Sequence, residues 1–179
     1  MKELIELLKT SSKNNVLALC EMMEQDPEVF KIIMNIALSD EQPQSKRAVW
    51  ALDTFYDRNP EIFKPYWNTI IIKLPEFKEE RNQGSFLRMF SRVKFDTYND
   101  ENNYGLLFDF CITVIKSDKV QMFMKHYSLL VLENLGMHFS DLYPEIKAVI
   151  EENMSLFDRE HLKKMGRRII NKLKSNISE

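Results

Sequence analysis

Apolar residues recur along this chain at helical spacing, and residues 45–74 show the pattern best. In 45–56 they lie three, four and seven positions apart, which predicts a helix with one buried face, Ala48, Ala51, Leu52, Phe55 and Tyr56. Asn59 and Pro60 then signal a second helix, since asparagine caps free N–H groups and proline suits a first turn. Apolar residues continue at helical spacing along this second helix to Leu74 and include Trp67. Pro65 is expected to bend the helix or delay its start. We call these two helices helix A and helix B.

The pair recurs along the chain. The hexapeptide DPEVFK at 26–31 matches NPEIFK at 59–64, which begins 33 residues later. A looser copy covers 131–143, and a weaker one lies between them. Trp50 lies away from the buried face of its helix. Leu17 and Leu130 occupy the equivalent position in two other copies, so this position is apolar in all three. The repetition predicts a second apolar stripe through which neighbouring helix pairs pack on one another. Helix pairs that return at such periods bury their apolar faces by stacking on one another.

A short pattern at the central pair resembles a known family. Asp40 is followed seven positions later by Arg47 and Ala48, and then by Ala51 and Leu52. This resembles the HEAT repeat, which has an acidic turn residue, a basic residue and small-then-large apolar columns. The resemblance to HEAT and armadillo-like solenoids implies an all-α fold, an α-α superhelix of about four helix pairs with amphipathic end helices, in one domain over 1–179.

The chain is also similar to short bacterial HEAT-like proteins, some of which carry the label adenylosuccinate lyase. The true lyases resemble fumarase-type enzymes and have a mobile loop of the form GSSxMPxKxNP. The nearest stretch here, DRNP at 57–60, lacks the serines and the glycine of that loop. The resemblance therefore implies the fold and not the lyase activity.

The charge and cysteine content of the chain limit the classes of partner and the cellular location that are expected. Lys plus Arg is 25 against 27 Asp plus Glu, a formal net charge of −2. Such a chain lacks the general attraction for phosphate backbones that a basic protein has, so nucleic acid is disfavoured as a partner. Only Cys20 and Cys111 occur, far apart, which favours a reducing compartment. Without a signal-peptide pattern or an apolar run long enough to span a bilayer, the expected location is the cytoplasm, away from the membrane.

Two Lys-Asn pairs are the strongest candidates for a binding site. Lys31 and Asn35 lie four apart on the first helix B, and Lys64 and Asn68 repeat them on the second, beside Trp67. The HEAT resemblance implies that B helices line a concave face, where these residues would form a polar groove for a peptide carboxylate, backbone carbonyls or a phosphate. The alternative is a solvated face that duplication has left alike in both copies.

The final helix carries a secondary basic patch on the side opposite its apolar stripe: Lys164, Arg167, Arg168 and Lys172. A terminal helix of a solenoid needs a polar outer face, so the patch has a structural interpretation as well. Within the third pair, a helix A is expected over 81–94 and a helix B from Tyr104, and the polar stretch 94–103 between them predicts a loop, either a functional one or a plain insertion.

Catalytic patterns are weak. The three histidines lack metal-binding spacing, neither cysteine has a local activator, and the four isolated glycines exclude a P-loop or Rossmann site. We therefore predict no metal, no cofactor and no catalytic residue, although Cys20 is expected to be the more exposed thiol. HEAT-like DNA glycosylases use a carboxylate framed by aromatic rings, for which Trp50 with Asp53, or Trp67 with Tyr66, are the available pairs.

The sequence thus predicts a non-catalytic binding module or scaffold that holds a protein or peptide partner on its concave helix-B face. The alternative is a HEAT-like DNA-binding protein or a glycosylase for alkylated bases.

Overall fold

The computed structural model describes residues 2–95 and 101–177, and every regular element in that part of the chain is helical. The all-α class predicted from the spacing is confirmed. The α-helices are α1 (Lys2–Leu7), α2 (Lys13–Gln25), α3 (Pro27–Ser39), α4 (Gln44–Tyr56), α5 (Trp67–Lys73), α6 (Glu80–Phe90), α7 (Glu101–Lys116), α8 (Met122–His138), α9 (Tyr143–Glu152) and α10 (Glu160–Ile177). Short 3-10 helices cover Pro60–Tyr66, Leu74–Glu76, Ser140–Leu142 and Met154–Leu156.

The chain forms two compact units, Met1–Phe86 and Leu87–Glu179, and the division falls within α6. The single domain over 1–179 stays a prediction.

In the first unit, local capping explains where α2 and α3 begin. The Ser12 hydroxyl accepts a hydrogen bond from the Asn15 N–H at 3.0 Å, and the Asp26 carboxylate accepts one from the Glu28 N–H at 2.9 Å. Pro27 follows in the first turn of α3, where a missing N–H costs nothing. The helix α4 packs on both α2 and α3, so each helix buries its apolar stripe against the other two.

The second helix of the central pair is split as Pro65 predicted. Residues Pro60–Tyr66 form a 3-10 helix, and α-helical bonding begins only at Trp67. Proline has no N–H to donate and crowds the preceding turn, so the α-helix starts after it. The expected Asn59 cap is not formed, because its side chain makes no capping hydrogen bond.

The two polar residues of the HEAT-like pattern link elements that are distant in sequence. Asp40 ends α3 in the left-handed conformation, with φ of 56°, and its carboxylate accepts hydrogen bonds from the Lys78 N–H at 2.8 Å and the Asn82 amide at 3.1 Å. Arg47 donates to the Leu8 carbonyl at 2.6 Å and to the Ser11 hydroxyl at 3.2 Å. The Asp40 carboxylate therefore bonds to the chain around the start of α6, which follows it in sequence. The Arg47 guanidinium bonds to residues just after α1, which precedes it.

In the second unit, α7 packs on α8, and α10 packs on α8 and α9. The approach of α8 and α10 is close at Gly136, where an added Cβ would lie 2.7 Å from the Leu173 Cδ1 atom. A side chain at Gly136 would therefore force the fully buried Leu173 side chain to shift.

Lys125 of α8 is buried in this unit, with 2% of its surface exposed. Its ammonium donates to the Leu156 carbonyl at 3.0 Å and lies 5.8 Å from the centre of the Phe157 ring. Burial lowers the pKa of Lys125, while the charges of Asp158 and Asp118 oppose that shift. The core thus holds a cation that has no carboxylate in contact among the described residues.

Three sequence-based expectations differ from the structure. Trp50 is 40% exposed, so the second apolar stripe is not buried at this position. The helix predicted for 81–94 ends at Phe90. The next one begins at Glu101, inside the predicted loop 94–103, of which residues 96–100 lie outside the described residues.

We expect Arg47→Met to lower the free energy of unfolding by about 1–3 kcal/mol, because the Leu8 carbonyl loses a charge-assisted donor while the apolar stem is kept. The measurement is urea denaturation followed by circular dichroism. Lys46→Met on the same helix is the matched control, since it also replaces a half-buried cation. Equal stability of the two variants would contradict a linking role for Arg47.

The stability of the protein relative to Lys125→Met should rise as the pH increases from neutral towards 10.5, the ordinary lysine pKa. Since the folded-state pKa is lowered, the unfolded chain binds more protons in that interval, and stability therefore increases with pH. The difference in unfolding free energy is measured at several pH values; a constant difference from pH 7 to pH 10.5 would show that burial does not disfavour the ammonium.

Candidate functional site

The two Lys-Asn pairs lie on neighbouring elements of the first unit. We call this surface the B face: Lys31 and Asn35 on α3, with Lys64 and Asn68 on the Pro60–Tyr66 helix and α5. The Phe30 ring on α3 lies 5.1 Å from the Phe63 ring, centre to centre, and 5.5 Å from that of Tyr66. These contacts place α3 beside the second copy of helix B.

Each lysine of the B face has an acidic partner three residues before it. The Lys31 ammonium lies 2.6 Å from the Glu28 carboxylate, and Lys64 pairs with Glu61 in the same way. Glu28 raises the pKa of Lys31 through its hydrogen bond and its charge. The B face is therefore zwitterionic, with a repeated acid-base pair. Neither glutamate is among the predicted site residues, although the PE dipeptide repeated in DPEVFK and NPEIFK marks both positions.

The asparagines add amide groups to this surface. Asn35 is exposed, and Asn68 is half-buried. Asn35 follows Lys31 by four positions, which places both on one side of α3. Lys64 and Asn68 are also four positions apart, but Lys64 lies on the 3-10 helix and Asn68 on α5. An amide offers two donors and one acceptor oxygen, and because the Asn68 oxygen is buried, the exposed amide acceptor of this surface is that of Asn35.

Trp67 is not on the exposed part of the B face. Only 2% of its surface is exposed, and its ring stacks on Phe63 at 5.5 Å with a 21° tilt. Tyr56 contacts it edge-on at 5.6 Å. Trp67 thus belongs to the core and supports the B face from inside. The half-buried Tyr66 is the aromatic residue beside the Lys31 charge.

The secondary basic patch on α10 is largely paired with acids. The Glu133 carboxylate, only 9% exposed, accepts hydrogen bonds from Arg168 at 2.6 Å and from Lys172 at 2.8 Å. Arg167 lies 3.4 Å from the Glu160 carboxylate, and Lys164 is exposed. Two of these four cations therefore hold α10 against α8, a structural role different from the polar outer face expected of a terminal helix.

The thiols are poor nucleophiles. Cys20 is 3% exposed against 0% for Cys111, so both thiols are buried, and the Cys20 thiol lies 3.6 Å from the Ala51 carbonyl oxygen. Burial raises the pKa of Cys20 to about 11. Burial raises the pKa of Cys111 as well. Both thiols are protonated at neutral pH, so neither is poised to attack a substrate.

Metal-binding and glycosylase-like sites each require particular side chains to come together. His126 and His161 lie 6.3 Å apart between ring centres, but no group of three or more potential ligands comes together in residues 2–95 and 101–177. Asp53 is 5% exposed, so its carboxylate does not face an open cleft beside Trp50. No described helix combines the length and the apolar character needed to cross a bilayer.

Comparison with known proteins gives one result. The family model of the HEAT repeat domain matches residues 4–173, which is nearly the whole chain. No curated protein and no solved structure was found to match. The chain therefore belongs to the HEAT repeat family.

Proposed function

We propose that this protein is a non-catalytic scaffold that holds an extended segment of a partner protein on the B face. The observation that carries the proposal is the repetition of one glutamate-lysine ion pair, each followed by an asparagine, first on α3 and again on the neighbouring Pro60–Tyr66 helix and α5. A linear peptide also repeats its backbone groups at a fixed spacing. A surface that repeats its polar groups therefore suits an extended partner.

The polar groups of the B face indicate which groups of a partner it can bind. Because Lys31 and Lys64 are paired with glutamates, neither offers an uncompensated positive charge to a partner. The Asn35 amide can donate to carbonyls and accept from N–H groups of the partner backbone, whereas the buried amide oxygen of Asn68 is closed to a partner. The acid-base pairs then favour a segment that carries both signs of charge. HEAT repeats commonly mediate protein interactions, which supports a protein partner over other classes.

The zwitterionic character also bears on the nucleic-acid alternative. Phosphate backbones are bound through cations that are available to replace counterions. The net charge of −2 and the paired lysines supply little of that attraction. The proposed scaffold needs no metal or cofactor, and its cytoplasmic location remains a prediction from the cysteine usage.

The test is a selection of linear peptides from a random displayed library on the immobilised protein, followed by fluorescence anisotropy with the enriched peptide. The blocking variant is Lys31→Glu with Asn35→Arg, which changes two exposed positions of α3. It breaks one ion pair and places a long side chain over the B face. We expect about tenfold weaker binding, the loss of a central contact in an interface.

The matched control is Lys13→Glu with Asn14→Arg on α2, which changes the same residue types, also exposed, by the same charge. It should keep the wild-type affinity. Circular dichroism confirms that both variants fold. Equal weakening by both pairs would make the effect one of net charge, and unchanged binding to the blocking variant would place the site elsewhere. Failure to enrich any peptide would contradict the peptide-binding function itself.

A further inference from the structure

Two histidines of the second unit lie side by side on different helices. His126 lies near the start of α8, and His161 lies in the first turn of α10. The centres of their rings are 6.3 Å apart, and the angle between the ring planes is 50°. His126 is half-buried and His161 is exposed, so a small solute can reach both rings. The pair takes no part in the B face, which lies in the first unit.

The register between α8 and α10 brings these two rings together. His161 follows His126 by 35 positions, and Arg168 follows Glu133, to which it is hydrogen-bonded at 2.6 Å, by the same 35 positions. Both pairs join the same two helices, so α8 and α10 run in the same direction with equivalent positions facing each other. Glu133 lies about two helical turns after His126. The histidines are therefore held as neighbours by contacts that they do not make themselves.

The separation of the two rings suits a single metal ion between them. An imidazole nitrogen binds Zn²⁺ at about 2.0–2.1 Å, which places the ion about 3 Å from the ring centre. Two rings that share an ion therefore have their centres about 5–6.5 Å apart, depending on the angle at the metal. The observed 6.3 Å lies within that range. Because His161 is exposed, its ring is free to turn a nitrogen towards the ion.

The surroundings of His126 favour the form of imidazole that binds metals. Burial lowers the pKa of His126, and the charges of His161 and Arg168 lower it further. The ring is therefore neutral at pH 7, and a neutral imidazole carries the nitrogen lone pair that a metal requires. Arg168 would repel a cation, but it is hydrogen-bonded to the Glu133 carboxylate, which offsets part of its charge.

We propose that His126 and His161 bind one divalent transition-metal ion, which joins the start of α10 to α8. Imidazole suits Zn²⁺, Cu²⁺ and Ni²⁺, whereas Mg²⁺ prefers the oxygens of carboxylates and water. No group of three potential ligands forms within residues 2–95 and 101–177, so we expect water at the remaining positions of the ion. The spacing of histidines along the sequence predicted no metal, because it does not show that residues of two different helices meet.

The first test is a calorimetric titration of the protein, without a histidine tag, with Zn²⁺, Ni²⁺ and Mg²⁺ in turn. We expect one Zn²⁺ or Ni²⁺ ion per chain with a Kd on the order of 10–100 µM, because two protein ligands bind less tightly than the three or four of a complete zinc site. Mg²⁺ should not bind in that range. Equal binding of Mg²⁺, or no saturable binding of either transition metal below about 1 mM, would overturn the proposal.

Substitution of each histidine locates the ion. His161→Gln is the principal variant, because this side chain is exposed and its replacement leaves the core intact. It should weaken Zn²⁺ binding by about tenfold or more, as should His126→Gln. The matched control is His138→Gln, which removes an exposed histidine from the other end of α8 and should keep the wild-type affinity. Wild-type affinity in His161→Gln, or equal weakening in His138→Gln, would overturn the proposal.

Copper reports how many histidines hold the ion. The electron paramagnetic resonance spectrum of bound Cu²⁺ is split by each coordinated imidazole nitrogen, so the wild type should show two such nitrogens and His161→Gln one. An ion that joins two helices also stabilises the folded chain, so Zn²⁺ in excess should raise the Tm of the wild type by about 2–4 °C and that of His161→Gln by less. A single nitrogen in the wild-type spectrum, or equal Tm shifts in the two proteins, would contradict an ion that bridges α8 and α10.

Discussion

Burial of Phe30 between two successive helix pairs is the contact on which the first unit depends. Its side chain is 1% exposed and lies within 6 Å, between ring centres, of Phe55, Phe63 and Tyr66. Burying a phenylalanine contributes about 1.5–3 kcal/mol, and each well-placed ring pair adds about 0.5–1.5 kcal/mol. The same contact sets α3 beside the second helix B. The packing that stabilises the unit therefore also creates the B face.

Polar contacts determine how the remaining helices are attached. Asp40 and Arg47 satisfy backbone groups of elements far away in sequence, and Glu133 holds two cations of α10 against α8. Hydrogen bonds of this kind contribute modestly when formed and cost more when one partner is lost. They therefore specify which surfaces meet, whereas apolar burial supplies most of the stability. This division of roles explains why the basic residues of α10 have a structural use.

On the B face, charges are paired and repeated, which suits a partner that binds through its backbone. This arrangement arises from duplication of a sequence segment, since DPEVFK recurs as NPEIFK. Both copies of the ion pair therefore have the same local origin, whereas the packing that brings them side by side is tertiary.

What the sequence determined by itself was the local and repeated part of the structure. Helical spacing, the Asp26 cap, the delay imposed by Pro65 and the recurrence of DPEVFK as NPEIFK depend on residues a few positions apart, and all are present in the fold. The tertiary structure alone decided which side chains remain accessible. Trp67 is buried, as its place in the apolar stripe implied, although its position beside Lys64 and Asn68 had suggested a groove. Trp50 is exposed, although the second apolar stripe had predicted that another helix pair would cover it. The exposure of a residue depends on which other helix packs over it. The spacing of apolar residues along one helix does not identify that other helix.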